Sequence, residues 1–281
     1  MYFLSVIKLL RPKHWLKNLL LFFPPFMAGT IFEAGMIWQG IVPFLAFSLA
    51  ASSIYIINDI VDAKKDAQHP VKKNRPIPTG RVNRGSAAVI AVFFLIFATV
   101  AGYLVSLNFL LLLVSYFVIT TIYSFKLKGE PIFDIFCISA GFLLRLEAGG
   151  VAFGIAISEW LFLSVFLLSI FLSTGKRLSE KKMLGQEAGS HRTSLGRYPE
   201  GFLEGAMYMT GAAVLVTYSM YVIYRPKLIY TILLCCFGLF RYIYLVQSGR
   251  EGDPTESLLS DAPLFLVSFL WVLVLGWGIY R

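Results

Sequence analysis

The chain is dominated by long apolar runs that are separated by polar connections. Nine of these runs approach the roughly 17–25 residues that an α-helix needs to cross a bilayer, and they are continuously apolar rather than alternating. We therefore predict an all-α polytopic membrane protein, with nine transmembrane helices in a single domain over residues 1–281. The predicted spans are Leu16–Ile31, Trp38–Ile57, Ala87–Val105, Phe109–Tyr123, Phe133–Phe153, Trp160–Thr174, Phe202–Tyr224, Leu228–Val246 and Pro263–Tyr280.

Composition strengthens this prediction and excludes the ordinary soluble classes. Of the 281 residues, 57% are hydrophobic and only 15% are charged, which is typical of a protein that lies within the lipid bilayer. The three cysteines all fall in predicted spans, without the spacing of a metal site or a disulfide framework. We interpret Cys137, Cys235 and Cys236 as small buried apolar residues.

The formal net charge of +9 is distributed unevenly. Most lysines and arginines fall in every second connection, which by the positive-inside rule identifies the cytoplasmic side. The clusters lie at Lys8–Lys17, Lys64–Arg84, Lys126–Lys128 and Lys176–Arg197. We predict an inner-membrane protein with a cytoplasmic N-terminus, an external C-terminus and a central cavity that opens to the cytoplasm. This distribution indicates membrane topology and gives no reason to expect nucleic acid as a partner.

An acidic segment follows the second predicted span without a break. Asp59, Asp62 and Asp66 are spaced by three and then four residues, which places them on one face of a helix. A charge in hydrocarbon costs roughly 2.5–3.5 kcal/mol even on the most lenient scale, so three carboxylates here indicate a function. Together with Asn58, they offer the hard oxygen ligands that Mg²⁺ uses beside water and substrate phosphates.

A basic loop comes next and is shaped by three prolines and a glycine. Its cations include Lys72, Lys73, Arg75 and Arg81. Such a loop is either a topology signal at an anionic leaflet or, after a metal-type site, a phosphate-binding element. His69 is interpreted as a polar loop residue, because no second histidine lies near it.

Other ionisable residues lie at or inside the predicted spans and are candidates for substrate contact. For three of them a structural alternative stays open: Arg145 could neutralise a carboxylate, Asp134 could stabilise a helix N-terminus, and Arg177 could pair with Glu180. The acidic loop Gln247–Ala262 is expected to close over the site or to pair with basic loops. The candidates are Lys17, Tyr123, Lys126, Asp134, Arg145, Lys176 and Arg177.

Residues Asn58–Asp66 fit the pattern NDxxDxxxD and are followed by Arg75-Pro76-Ile77. In this membrane context they resemble the first aspartate-rich motif of the UbiA-type intramembrane prenyltransferase superfamily, and the resemblance covers essentially the whole chain. It implies that Mg²⁺ bridges the carboxylates to a diphosphate. The second half departs from the prenyl-diphosphate-using members, because Gly175–Glu180 stands where they carry a DxxxD motif.

The pattern is more similar to one branch, the decaprenyl-phosphate phosphoribosyltransferases. The similar segments are Arg11–Asn18, Tyr123–Lys128, Gly141–Arg145, Gly175–Arg177 and Asp253–Glu256. This resemblance implies transfer of phosphoribose from 5-phosphoribosyl diphosphate to a polyprenyl phosphate, with release of pyrophosphate, for cell-wall polysaccharide precursors.

The resemblance also implies roles for the candidate residues. Asn58, Asp59, Asp62 and Asp66 would hold Mg²⁺, and Asp134 would contact a ribose hydroxyl or the cationic ring. The residues expected to contact substrate and position phosphates are Lys17, Asn58, Arg75, Tyr123, Lys126, Arg145, Lys176 and Arg177.

Two other functions remain open at this stage. One is a prenyltransferase that moves an isoprenyl group from its diphosphate to an aromatic or haem acceptor. The other is a cation-coupled transporter, which the clustering of the carboxylates at one membrane surface disfavours. The sequence leaves the oligomeric state open, and an oligomer is possible.

Overall fold

The computed structural model describes residues 2–67, 72–185, 192–250 and 252–281, and these residues contain helices and no β-strand. His69 and Glu251, which were assigned to connecting loops, lie outside the described residues. The α-helices are α1 (Tyr2–Leu10), α2 (Phe23–Ala28), α3 (Met36–Asp66), α4 (Arg84–Val105), α5 (Leu107–Phe125), α6 (Phe133–Phe153), α7 (Glu159–Leu184), α8 (Thr193–Arg197), α9 (Phe202–Ile223), α10 (Thr231–Gln247), α11 (Pro254–Ser260) and α12 (Ala262–Tyr280).

The predicted fold class is confirmed, and seven of the described helices are long and apolar enough to cross a membrane. They correspond to seven predicted spans. An eighth span falls on α10, which is a shorter apolar helix. The predicted first span is divided between a 3-10 helix over Pro12–Phe22 and the six-residue α2, which contains Pro24 and Pro25. Proline lacks a backbone donor and interrupts regular helical hydrogen bonding, so this segment does not form one continuous α-helix.

By internal packing the chain divides into two compact units. The first comprises residues 1–26, 30–124 and 144–156, and the second comprises residues 27–29, 125–143 and 157–281. The division falls inside α6. The expectations of one domain and of a central cavity stay predictions.

The first unit is built around α3, which packs along α4. Its largest core side chains include Phe47 and Phe109, whose rings meet edge to face at 5.7 Å. The 3-10 segment approaches α6 at Gly149, where an added Cβ would lie 2.3 Å from the carbonyl oxygen of Leu21. Only glycine permits this approach. The close packing fixes the entry of the chain beside α3, which carries the acidic segment.

In the second unit, α7 packs along α9, and α10 packs along α12. Helix starts are fixed by side-chain caps, since the first N–H groups of a helix have no partner within it. Ser158 caps α7 by accepting from Leu161 N, and Asp261 caps α12 by accepting from Leu264 N at 3.0 Å. The core is formed by buried residues such as Phe171, Leu178 and Met207.

Candidate active site

The acidic segment lies in the last turns of α3, which continues from the membrane span to Asp66 as predicted. Asp59 and Asp66 are almost fully buried, with 2% and 3% of their surface exposed, whereas Asp62 is half-buried. Buried carboxylates are costly unless cations compensate them. Here the compensation comes from two arginines of the same unit.

Arg75 supplies the cation that the two buried carboxylates share. Its Nη1 lies 3.1 Å from Asp59 Oδ1 and 2.6 Å from Asp66 Oδ2. One nitrogen therefore occupies the bridging position between the carboxylates. The basic loop is confirmed as a turn structure in which the N–H and the hydroxyl of Thr79 both donate to the Arg75 carbonyl.

Arg11 is a second partner of Asp59, and sequence reasoning missed it as a site residue. Its Nη2 lies 2.6 Å from Asp59 Oδ1, and its guanidinium lies 4.9 Å from the centre of the Tyr55 ring. The backbone of Arg11 is left-handed, with φ of 52°. A non-glycine residue in that region is strained, and such strain concentrates at functional sites. In the sequence, Arg11 is hard to distinguish from an interfacial cation of the α1 segment.

Asn58 precedes this pair and is held by α5. Its Nδ2 donates to Ser124 Oγ at 3.0 Å. The amide oxygen, rather than the amide nitrogen, is the atom that could contact a cation. The contact also connects the end of α3 to the end of α5.

The structure places two of the four predicted ligands, the carboxylates of Asp59 and Asp66, close enough to share one cation. Within the described ranges, no group of three or more His, Cys, Asp or Glu side chains converges as a metal site. In the structure, Asp59 and Asp66 both contact one positive charge, the guanidinium of Arg75. Mg²⁺ characteristically uses one or two carboxylates and takes its other ligands from water and substrate phosphates. A hard dication is therefore compatible with this pair, and ligation by Asn58 and Asp62 stays a prediction.

Arg145 is buried in a polar network within the first unit. Its Nε donates to Asn18 Oδ1 at 2.7 Å, its Nη2 donates to the Tyr116 hydroxyl at 2.9 Å, and its guanidinium lies 4.4 Å from the Tyr116 ring centre. Asn18 in turn donates to Ser48 Oγ at 2.9 Å. The network ties the 3-10 segment to three helices. Phosphate binding by Arg145 stays a prediction.

Three further candidates lie at the ends of elements. Lys17, in the 3-10 segment, and Tyr123, in the last turn of α5, are half-buried. Lys126 is exposed and precedes the 3-10 turn Leu127–Gly129 of the second unit. Their predicted contacts with phosphates stay predictions.

In the second unit, Asp134 is fully buried at the start of α6 and is surrounded by donors. Its Oδ1 accepts from the Tyr198 hydroxyl at 2.6 Å, and its Oδ2 accepts from the Ser194 hydroxyl at 3.1 Å. Oδ2 also lies 3.0 Å from Arg177 Nε and 3.5 Å from Arg192 Nη2. Burial and the hydrogen bond to Asp134 raise the pKa of the Tyr198 hydroxyl above its ordinary value, which keeps it protonated. This geometry supports the structural alternative for Asp134, and its predicted contact with ribose stays a prediction.

The predicted cations of α7 are also paired with acids. Arg177 is buried and contacts Glu180 Oε2 at 2.5 Å, in addition to Asp134. Lys176 Nζ lies 2.5 Å from Asp253 Oδ2. Asp253 lies in the predicted acidic loop and caps α11 by accepting from Thr255 N at 3.1 Å. The prediction that the acidic loop pairs with basic segments is confirmed at this contact.

Comparison with known proteins adds the family. The family model of the UbiA prenyltransferase family matches residues 22–272. A decaprenyl-phosphate phosphoribosyltransferase from Mycolicibacterium smegmatis is 31% identical over 98% of this chain and 92% of the relative. One from Corynebacterium glutamicum is 32% identical over 98% of this chain and 87% of the relative.

A solved structure shares the fold. This chain is similar to a UbiA homologue from Archaeoglobus fulgidus bound to GPP and Mg²⁺, with a TM-score of 0.76 and 19% identity over 98% of this chain and 99% of that one. The helical architecture, the acidic end of α3 and the family match over most of the chain lead to one conclusion: this chain is an integral membrane protein that belongs to the UbiA prenyltransferase family.

Proposed function

We propose that this chain transfers the 5-phosphoribosyl group from 5-phosphoribosyl diphosphate to a polyprenyl phosphate and releases pyrophosphate. The observation that carries the proposal is the buried pair Asp59 and Asp66, which shares one cation at the end of a membrane span. It is supported by relatives that cover nearly the whole chain and are named decaprenyl-phosphate phosphoribosyltransferases. We also propose the branch's role in supplying precursors of cell-wall polysaccharide.

The carboxylates would act by holding Mg²⁺ against the diphosphate of the donor. When bound, the ion supplies Lewis-acid stabilisation of the charge that develops on the departing pyrophosphate. Asp59 and Asp66 would be the first ligands, and Asn58 and Asp62, on the same helix end, would be further ligands. Arg11 holds Asp59 in a fixed orientation through its 2.6 Å contact. Preorganised charge of this kind is effective because little rearrangement is needed during the reaction.

The bond changes need no general base. The C1–O bond to the diphosphate breaks, and its electron pair leaves with pyrophosphate, while an oxygen of the acceptor phosphate forms the new bond to C1. That phosphate is already ionised at neutral pH. The basic residues Lys17, Arg75, Lys126, Lys176 and Arg177 would bind and orient phosphates.

A second candidate function rests on one observation. Solved relatives of the same fold hold isoprenyl diphosphates with Mg²⁺, so this chain could instead transfer an isoprenyl group. The segment Gly175–Glu180 argues against isoprenyl transfer, because it carries Lys176 and Arg177 in place of a second aspartate-rich motif. A transporter is disfavoured because the family consists of transferases.

The deciding experiment offers both donors to the purified protein. Protein in lipid nanodiscs receives Mg²⁺, a polyprenyl phosphate and an aromatic acceptor, together with either labelled phosphoribosyl diphosphate or labelled geranyl diphosphate. We expect labelled lipid only from the phosphoribosyl donor, and none from an Asp66→Asn variant. Label transfer from geranyl diphosphate to an aromatic acceptor, with none from the phosphoribosyl donor, would replace this proposal by the prenyltransferase.

We further propose that the site faces the cytoplasm, with the N-terminus on the same side. The support is the concentration of lysine and arginine in alternate connections. Alkaline phosphatase fused after Arg281 should be active and green fluorescent protein at the same position should be dark, because the C-terminus would lie outside. The reverse pattern would contradict the orientation.

A further inference from the structure

Arg75 stands at the position that a bridging metal would use. Its Nη1 contacts one oxygen of Asp59 and one oxygen of Asp66. Mg²⁺ binds carboxylate oxygens at about 2.0–2.1 Å, so the ion and this nitrogen cannot occupy the space between the same two oxygens together. A metal that bridges Asp59 Oδ1 and Asp66 Oδ2 must therefore displace the guanidinium of Arg75.

Arg11 is placed differently, because its described ion pair is with Asp59 and it does not bridge to Asp66. It contacts the same oxygen, Asp59 Oδ1, packs over the Tyr55 ring, and has a strained left-handed backbone. Arg75 has an anchored backbone and a partly exposed side chain: its carbonyl accepts two hydrogen bonds from Thr79, and its side chain is 28% exposed. An arginine with a fixed backbone can rotate its side chain over several ångströms without refolding the loop.

We propose that Arg75 is a resident counter-cation that a divalent metal displaces, and that its released guanidinium then binds the phosphate oxygens brought by the metal. The second half of this statement rests on the proposed function, while the first half requires only the carboxylate pair. Before substrate binds, Arg75 compensates two buried carboxylates. After exchange it compensates the diphosphate, for which its planar fork of donors is well suited.

The exchange makes metal and diphosphate binding cooperative. A metal that binds without diphosphate must break the ion pairs between Arg75 and the two carboxylates. The guanidinium charge is then left without these partners, so the affinity of the metal is lowered. Diphosphate provides the displaced guanidinium with a new partner, so each ligand strengthens the other, as linkage requires. Removing the guanidinium should therefore affect the two ligands in opposite directions.

The first test measures Mn²⁺ binding by electron paramagnetic resonance, with the full-length protein in detergent and no substrate. We expect Arg75→Gln to bind Mn²⁺ about tenfold more tightly than the unmodified protein, and to bind labelled inorganic pyrophosphate about tenfold more weakly at saturating Mn²⁺. The matched control is Arg84→Gln, which removes the same charge from an exposed residue after the same loop. Arg84→Gln should change neither the affinity for Mn²⁺ nor the affinity for pyrophosphate. A merely structural role would weaken both ligands, and Mn²⁺ binding to Arg75→Gln that is no tighter would overturn the proposal.

The second test needs no variant and so remains decisive if Arg75→Gln does not fold. Phenylglyoxal modifies accessible arginines, and mass spectrometry reports each site in the unmodified protein. Labelling of Arg75 should rise with Mn²⁺ alone and fall when pyrophosphate is added, while labelling of Arg11 stays constant. Unchanged labelling of Arg75 on addition of Mn²⁺ would overturn the exchange.

Neither test depends on turnover, so the two proposals fail separately. If the protein transfers phosphoribose but the predicted changes in Mn²⁺ binding and in Arg75 labelling are absent, the exchange proposal is wrong and the proposed function stands. If those changes are present but no phosphoribose is transferred, the exchange proposal stands and the proposed function is wrong.

Discussion

The Tyr198 hydroxyl donates a 2.6 Å hydrogen bond to Asp134 Oδ1 and accepts the backbone N–H of Ile132 at 2.7 Å. Ile132 has a positive φ of 70°, a genuine outlier for a β-branched residue. One phenol thus binds both a buried carboxylate and the strained residue that leads into α6. These contacts attach the segment after α8 to the connection before α6.

The first prediction concerns this hydroxyl. Tyr198→Phe removes one donor from a buried carboxylate and one acceptor from the partly buried N–H of Ile132, so we expect a loss of about 1–3 kcal/mol in the free energy of unfolding. Thermal and denaturant unfolding in detergent measure it. Tyr208→Phe is the control, because Tyr208 is exposed and its hydroxyl accepts an exposed hydrogen bond from Gln247 Nε2 at 2.7 Å. Equal effects of the two substitutions would contradict the role of Tyr198.

A second prediction separates a catalytic from a structural Asp134. In Asp134→Asn the buried Arg177 loses a carboxylate, and removing one partner of a buried ion pair costs about 3–5 kcal/mol. We expect a large fall in the unfolding temperature and activity that declines only with the folded fraction. A catalytic contact with ribose predicts the reverse: a variant that unfolds normally and has no activity per folded molecule.

The sequence predicts the helices well where apolar runs have clear ends. The bounds of α6 match the predicted span Phe133–Phe153, because Pro131 precedes the run and Gly154 follows it. The 3-10 segment over Pro12–Phe22 was not predicted, since hydrophobicity alone does not distinguish it from the start of an α-helix. Its geometry depends on packing against Gly149, which is distant in the chain.

The residue types of the site and the local pair of Arg177 and Glu180 were predictable, but the partners that lie far apart in the chain were not. Three carboxylates in an apolar chain mark a site, and the basic loop beside them is recognisable. Which cation meets which acid depends on tertiary structure: Arg11 and Asp59 are separated by 48 residues, and Asp134 and Tyr198 by 64. Periodicity within one helix contains no information about such pairs. Arg11 was therefore missed, and the surroundings of Asp134 could not be foreseen.

A third prediction concerns acid stability. Asp261 is 4% exposed, and its carboxylate binds Arg241 through Oδ1 at 2.9 Å and Oδ2 at 2.8 Å while capping α12. The hydrogen bond from Arg241 lowers the pKa of the Asp261 carboxyl below its ordinary value. A lowered folded-state pKa stabilises the protein above the unfolded-state pKa of about 3.9, and this contribution is lost as the pH falls through the folded-state value.

Unfolding of Asp261→Asn across pH therefore has a definite expected shape. The variant should be less stable than the unmodified protein at pH 7. The difference in stability should begin to shrink as the pH falls below about 4, and it should be lost once the pH is below the lowered folded-state pKa, where Asp261 is protonated in the folded protein as well. Asp253→Asn serves as the comparison, because Asp253 caps a shorter helix and pairs with a more exposed lysine. A difference that grows on acidification would show that the sign is wrong.

The last prediction concerns Asp62, which is half-buried beside the fully engaged Asp59 and Asp66. If the carboxylates hold Mg²⁺ on the diphosphate, Asp62→Asn should lower phosphoribosyl transfer by about 100-fold or more, the scale expected when a group that stabilises developing charge is lost. The unfolding temperature should remain within a few degrees, because the two buried carboxylates keep their arginines.

Excess EDTA should stop the unmodified enzyme, and added Mg²⁺ should restore its activity. Glu33→Gln, an exposed carboxylate outside the acidic segment, should leave transfer unchanged. Near-normal transfer by Asp62→Asn would exclude Asp62 from the metal site, and full turnover in EDTA would remove the metal from the mechanism.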